Sequence, residues 1–183
     1  MKLILLIVLT ILTNATYSVC QSTKHVVGEK YGGGIIFYVT ENGLHGLIAA
    51  KNDQKAGVPW YNGLTRLSGA SDDGIGAGAR NTAAILAKLM ADDTLGFFAA
   101  KICEDYSVKE NNITYTDWYL PSKAELNLLY QQKKLVGGFV NENYWTSTEY
   151  KTNSVWIQYF GNGQQRISNS ESYANNVRAI RSF

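Results

Sequence analysis

Two histidines and two cysteines are the imidazole and thiol groups this 183-residue chain can offer for catalysis or soft-metal binding. Zinc takes three or four Cys or His ligands. His25, His45, Cys20 and Cys103 are scattered along the chain and do not form such a set. Calcium needs six or more converging oxygens. The acidic pairs Asp72-Asp73 and Asp92-Asp93 stand alone and read as solvated turns or helix ends. No metal site is expected, and no cofactor. A Ser-His-Asp arrangement would have to be built around His45, but no G-x-S-x-G nucleophile elbow is present. His45 follows a Gly turn in a hairpin strand and reads as structural.

Two other residue groups have chemical potential. Glu125 with Arg178 or Arg181 pairs a carboxylate with a guanidinium. The simpler reading is a bidentate ion pair tying a helix start to the last strand, with Arg178 as the structural partner. Strand alternation sends Arg178 and Arg181 to opposite faces, so at most one meets that helix. The aromatics Trp118, Tyr119, Tyr144, Trp145 and Trp156 offer flat faces for stacking on sugar rings, or large areas to bury in a core. Trp118, Trp145 and Trp156 sit beside regular elements and are read as core. For Tyr150, Tyr159 and Tyr173, nearer the predicted loops, core and ligand readings stand level.

The elements that must position these residues begin after residue 20. Met1-Lys2 followed by an apolar and Thr run over residues 3–12 reads as a secretory signal peptide, too short to span a bilayer as a mature helix. Cleavage is expected after Ala15, Ser18 or Cys20. Tyr17-Ser18-Val19 lacks the Leu and small residue that precede a lipidated cysteine. About 160 residues remain, enough for one domain with its own core. The formal charge of +2 argues against a nucleic-acid groove. Cys20 and Cys103 pair only if cleavage spares Cys20; otherwise Cys103 is a buried small hydrophobe.

Seventeen glycines, two prolines and twelve tyrosines suit a β-rich domain with Gly turns. Residues 35–39 and 45–50 form a hairpin about Asn42-Gly43, and residues 51–63 read as loop. "SDDGIGAGARNTAAILAKLM" feeds a helix with Asn81 or Thr82 as N-cap, and a second short helix follows in "TLGFFAAKICEDY". In "DWYLPSKAELNLLY", Ser122-Lys123-Ala124-Glu125 matches the capping box S-x-x-E. Leu126, Leu129 and Tyr130 then share a helical face. Pro121 stiffens the approach to the cap without displacing a needed donor. The stretch is read as architecture: Trp118 and Leu120 anchor it, Pro121 aims it, Ser122 and Glu125 cap it. Beyond Gly137-Gly138 the pattern is strand: "YWTSTEY", "SVWIQYF", "QQRIS" and a final strand "NNVRAIRSF".

In order, "VGEKYGGGIIFYV", "HGLIAA", "GAGARNTAAI", "DWYLPSKAELNLLY", "YWTSTEY" and "VRAIRSF" resemble the Lcl C-terminal domain family, bacterial exported domains named from a collagen-like adhesin. The likeness runs over residues 27–183. It implies an α+β, C-type-lectin-like fold: two or three helices around a small twisted antiparallel sheet, with the chain ends close together. It also implies binding at the cell surface, since the adhesin's domain binds sulfated glycans. No Gly-X-Y repeat precedes the blocks, so trimerisation through a stalk is not implied. The few, dispersed Lys and Arg residues argue against tight binding of sulfated polymers. The Glu-Pro-Asn, Gln-Pro-Asp and Trp-Asn-Asp runs of calcium-dependent lectins are missing.

The expected function is a non-enzymatic binding module, secreted or surface-exposed, taking a glycan or protein ligand. No nucleic-acid partner and no transmembrane segment after signal cleavage are expected. Its ligand residues would lie in late loops, 149–154 and 161–173, rich in Asn, Gln, Ser and Tyr. The candidates are Tyr150, Asn153, Gln164, Arg166 and Tyr173. Arg166 is the one basic residue within 152–177. The rival is a cell-envelope enzyme on a version of this fold like that of the formylglycine-generating oxidases. Those work through a pair of cysteines, and Cys103 is the one cysteine well inside the domain.

Overall fold

Residues 23–63, 67–91, 96–169 and 174–183 are described by the computed structural model. The signal-peptide segment, Cys20, Asp92-Asp93 and Tyr173 lie outside the described residues. Strand β1 (Lys30–Tyr31) pairs with β2 (Gly34–Val39), which pairs antiparallel with β3 (Gly46–Ala49). The β2–β3 hairpin closes through residues 40–45, where Gly43 takes φ 71° and Asn42 Oδ1 accepts from Thr40 Oγ1 and Leu44 N. His45 is exposed and precedes β3 instead of lying within it. Gly34 is needed for close packing, since a Cβ there would meet Ala49 O at 2.2 Å.

Residues 55–59, expected as loop, form strand β4 (Lys55–Pro59). It is an edge strand, mostly exposed, so it lacks apolar alternation. Pro59 sits at its end, where the missing donor costs least. Helix α1 (Ala77–Leu89) starts five or six residues earlier than expected, with Gly76 at its N-cap at φ 81°. Asn81 and Thr82 are buried inside it. Asn81 Nδ2 donates to Asp72 O (2.6 Å), and Thr82 Oγ1 accepts from Leu120 N (3.0 Å). They satisfy the main chain of two neighbouring loop segments and do not cap their own helix. Helix α2 (Ala99–Glu104) follows as expected. Strands β5 (Val108–Glu110) and β6 (Ile113–Tyr115) form a small hairpin turned by Asn111 and Asn112, both at positive φ.

Helices α3 (Lys123–Gln131) and α4 (Lys133–Val136) raise the described helices to four, against the two or three expected. Then come β7 (Asn143–Lys151), β8 (Ser154–Tyr159), β9 (Gln165–Asn169), β10 (Ala174–Val177) and β11 (Ile180–Ser182). The architecture is mixed α+β. Instead of one small antiparallel sheet, the described residues form three, in orders β1-β2-β3-β11, β4-β10-β7-β8-β9 and β5-β6. All pairings among the described strands are antiparallel except β10 with β7.

The tail "NNVRAIRSF", expected as one strand, is two strands in two different sheets. The chain leaves the five-stranded sheet at Val177 and joins the four-stranded sheet at Ile180. Arg178, at this crossing, is 1% exposed. Its Nε donates to Asp53 Oδ1 (2.7 Å), its Nη1 to Ala50 O and Gly137 O, and its Nη2 to Gly138 O (2.6 Å). The guanidinium lies over the Phe139 ring at 3.8 Å. Tyr144 OH donates to the other oxygen of Asp53 (2.7 Å).

The four-stranded sheet divides the core. Successive β2 residues Ile36 and Phe37 enter different apolar clusters, as alternation demands. Trp118, Trp145 and Ile85 fill one; Tyr144, Phe160 and Leu129 fill the other. The described chain ends meet: the His25 ring lies 4.1 Å from Tyr31 and 5.1 Å from Phe183, and His25 N donates to Gly43 O.

Removing one member of a buried ion pair leaves the other uncompensated. Arg178→Met is therefore expected to cost about 3–5 kcal/mol in chemical denaturation. Arg178→Met combined with Asp53→Asn should cost less than the sum of the two single changes. Ser122→Ala, which removes the α3 cap, should cost about 1 kcal/mol in the same experiment.

Candidate functional site

The capping box of α3 is formed as the sequence predicts. Ser122 Oγ accepts from Glu125 N (3.3 Å), and Glu125 Oε2 accepts from Ser122 N (2.8 Å). Glu125 does more than cap its own helix. Its Oε1 accepts from Gly76 N (2.8 Å), and Ser122 Oγ donates to Gly74 O (2.7 Å). One buried carboxylate thus ties the starts of α1 and α3. A Cβ on Gly78 would come within 2.3 Å of Glu125 Oε2, so a glycine lets α1 approach. Burial pushes the Glu125 carboxyl up, while the Ser122 and Gly76 N–H groups pull it partly back. Burial likewise pushes up the Tyr119 phenol, whose oxygen is 3.5 Å from Glu125.

The expected pair of Glu125 with an arginine is not formed. Arg178 holds Asp53, and Arg181 holds Asp117 through Nε (2.6 Å) and Nη2 (2.9 Å). The alternation argument fails because Arg178 lies between two strands and only Arg181 lies on one. Trp118 and Trp145 are core, their indole N–H groups donating to Tyr115 O and Val58 O. Pro121 is buried, its carbonyl accepting from Ser147 N. Trp156, expected in the core, is only half-buried, with Lys123 Nζ 3.7 Å over its ring and the exposed Tyr150 edge-on at 6.1 Å. It lies opposite Ile167 in the β8–β9 register, on a sheet face that solvent reaches.

Over their described residues, the expected late loops are short hairpins. Tyr150 is on β7, Asn153 is in a tight turn at φ 60°, Gln164 is in the β8–β9 turn, and Arg166 is on β9. Polar residues on the outward faces of short strands give a composition that resembles loop. The structure does not gather the four described candidates. The Asn153 turn and Gln164 are at opposite ends of β8, roughly 16–20 Å apart at strand rise.

Arg166 has a setting of its own. It lines a cleft of about 390 Å³ with Asn143, Ile157, Ile167, Ser168, Asn169 and Asn175. Ile157, opposite Arg166 in register, is a buried apolar floor. Arg166 Nη2 donates to Asn143 Oδ1 (3.2 Å), which orients the guanidinium. Asn175 is 9% exposed, and its Nδ2 is buried with no hydrogen-bond partner. Asn143, Ser168 and Asn175 were not singled out from sequence. The available signal was asparagine inside the strand patterns "NYWTSTEY" and "ANNV".

A larger cleft of about 530 Å³ runs along Asn52, Gln54, Lys55, Phe97 and Tyr106. Two of its polar side chains serve the fold: Asp53 is held by Arg178 and Tyr144, and Gln54 by Ala179 N and Asn52 O. Cys103 is fully buried, and burial pushes its thiol up, away from the reactive thiolate. Among the described residues no three His, Cys, Asp or Glu side chains group as metal ligands, and no helix is long and apolar enough to cross a membrane.

A family model described as the Lcl C-terminal domain matches residues 50–181, well over half of the chain. The chain belongs to that family. No curated protein matches it. The matched span of this Lcl C-terminal domain contains the Arg166 cleft, both helix caps and the Arg178 crossing. Strands β1–β3 precede it, yet β3 pairs with β11 at its far end.

Glu125 gives this domain a pH signature. Its folded-state carboxyl titrates above the unfolded value of about 4.3, so between the two the folded chain holds the extra proton. Stability contributed by this group should fall as pH rises through that window. Glu125→Gln should remove this component, so the difference in unfolding free energy between the two proteins narrows or reverses from pH 4 to 7. Parallel urea-melt profiles would contradict the assignment.

Proposed function

We propose that this domain is a C-type-lectin-like binding module, secreted or held at the bacterial cell surface, that recognises a carbohydrate or protein ligand without catalysing a reaction. The observation that carries the reading is the Arg166 cleft: an oriented guanidinium, a buried amide donor lacking a partner and an apolar floor. A few fixed polar groups over an apolar surface are the usual make-up of a ligand site. The family match and the apolar run at residues 3–12 support export and surface binding. The buried Cys103 supports binding over cysteine-based oxidase chemistry.

A glycan array and an envelope pull-down, each with wild type and Arg166→Gln, test this. The substitution should weaken binding by about 1.5–3 kcal/mol, as expected for a hydrogen bond to a charged group. The melting temperature should barely move, because Arg166 is exposed and pairs with a neutral amide. No binder above background, or lost stability with binding intact, would count against the proposal. A neutral glycan indifferent to Arg166 would shift attention to Tyr150 and Asn153.

A further inference from the structure

Resting on that reading of the cleft, we infer that its ligand is an acidic sugar unit whose carboxylate is held by Arg166 and Asn175. Among the described residues, the walls of the cleft hold one cation and no carboxylate: Arg166 is accompanied by asparagines, a serine and isoleucines. A site so composed suits a single negative charge.

The guanidinium is pre-set. Asn143 Oδ1 takes one N–H of Nη2, fixing the fork and leaving its remaining donors for a ligand. Asn143 is thus a positioning residue. A guanidinium fork matches the two coplanar oxygens of a carboxylate. Asn175 supplies the second donor. A buried amide N–H without an acceptor is costly to leave unmade. The terminal torsion of asparagine is broad, so this amide can turn to a ligand oxygen. A sulfate ester spreads one charge over three oxygens and is ordinarily gripped by clustered basic residues. Here Lys123 lies over Trp156, and Lys151 is at the far end of β7.

Size and polarity complete the case. A volume of about 390 Å³ is in the small-ligand range and too small for a folded partner. Ile157 provides an apolar bed for the carbon face of a ring, and Ser168 a hydroxyl for ring substituents.

The test is calorimetric titration of the purified protein with methyl β-glucuronide, methyl β-glucoside and methyl β-glucoside 6-sulfate. The glucuronide should bind at least tenfold more tightly than the glucoside and more tightly than the sulfate. Arg166→Gln should abolish that preference, and Arg166→Lys should restore part of it. Asn175→Ala should weaken the glucuronide several-fold without lowering the melting temperature; a lowered melting temperature with binding intact would make Asn175 structural and overturn its role. Equal binding of glucoside and glucuronide, tighter binding of the sulfate, or no binding of any of the three would overturn the carboxylate assignment. If array ligands still depend on Arg166 in those cases, the cleft stands as a binding site and only its ligand class falls. If they do not, the cleft itself is lost.

Discussion

A buried guanidinium has to find acceptors, and the fold is arranged around that demand at Arg178. Five donors cannot be taken out of water without partners. The partners come from segments far apart in the chain: the carbonyls of Ala50, Gly137 and Gly138, and the carboxylate of Asp53. Asp53 in turn engages Tyr144, whose hydroxyl also accepts from Val140 N. The turn after α4, the loop before β4 and the junction between β10 and β11 are therefore held at one point. Gly138 is part of the constraint. It sits at φ 71°, and a Cβ there would come within 3.0 Å of Lys51 O.

Buried carboxylates repeat the device with the roles reversed. Glu125 collects backbone N–H groups from Gly76 and Ser122, and Glu149 collects those of Ser68 and Gly69. Both reach into the stretch between β4 and α1, where no described ladder satisfies the main chain. Side-chain acceptors stand in for secondary structure there, as the need to pair buried amides requires. Strand β7 also buries Thr146, Ser147 and Thr148, and the Thr148 hydroxyl donates to Asp72 O. A polar interior seam thus runs beside the apolar clusters.

What could be read from sequence follows from how local each interaction is. Size alone misplaced Trp156, whose sheet face is set by its pairing with β9. The Ser122–Glu125 box spans three residues, and Trp118 and Trp145 are bulky apolar residues beside the capped helix and in a strand. These were legible. Strand β4 was not, because its partner β10 is more than a hundred residues away and its own exposed residues carry no period. The split of the last strand was hidden for the same reason, since nothing in "NNVRAIRSF" marks where hydrogen bonding passes from one sheet to the other. That split also broke the alternation used to pair Glu125 with an arginine. At the cleft, Arg166 was found as a lone cation. Asn143 and Asn175 join it only through the β10–β7–β8–β9 strand order.

His25 against Tyr31 and Phe183 brings the two ends of the described chain into contact. A unit that enters and leaves at one place can be set into a surface turn of a larger polypeptide with short connectors, without prying its host apart. Such a geometry frees the domain from being terminal: it can be carried as a bead along a longer chain, its cleft repeated as many times as the bead is.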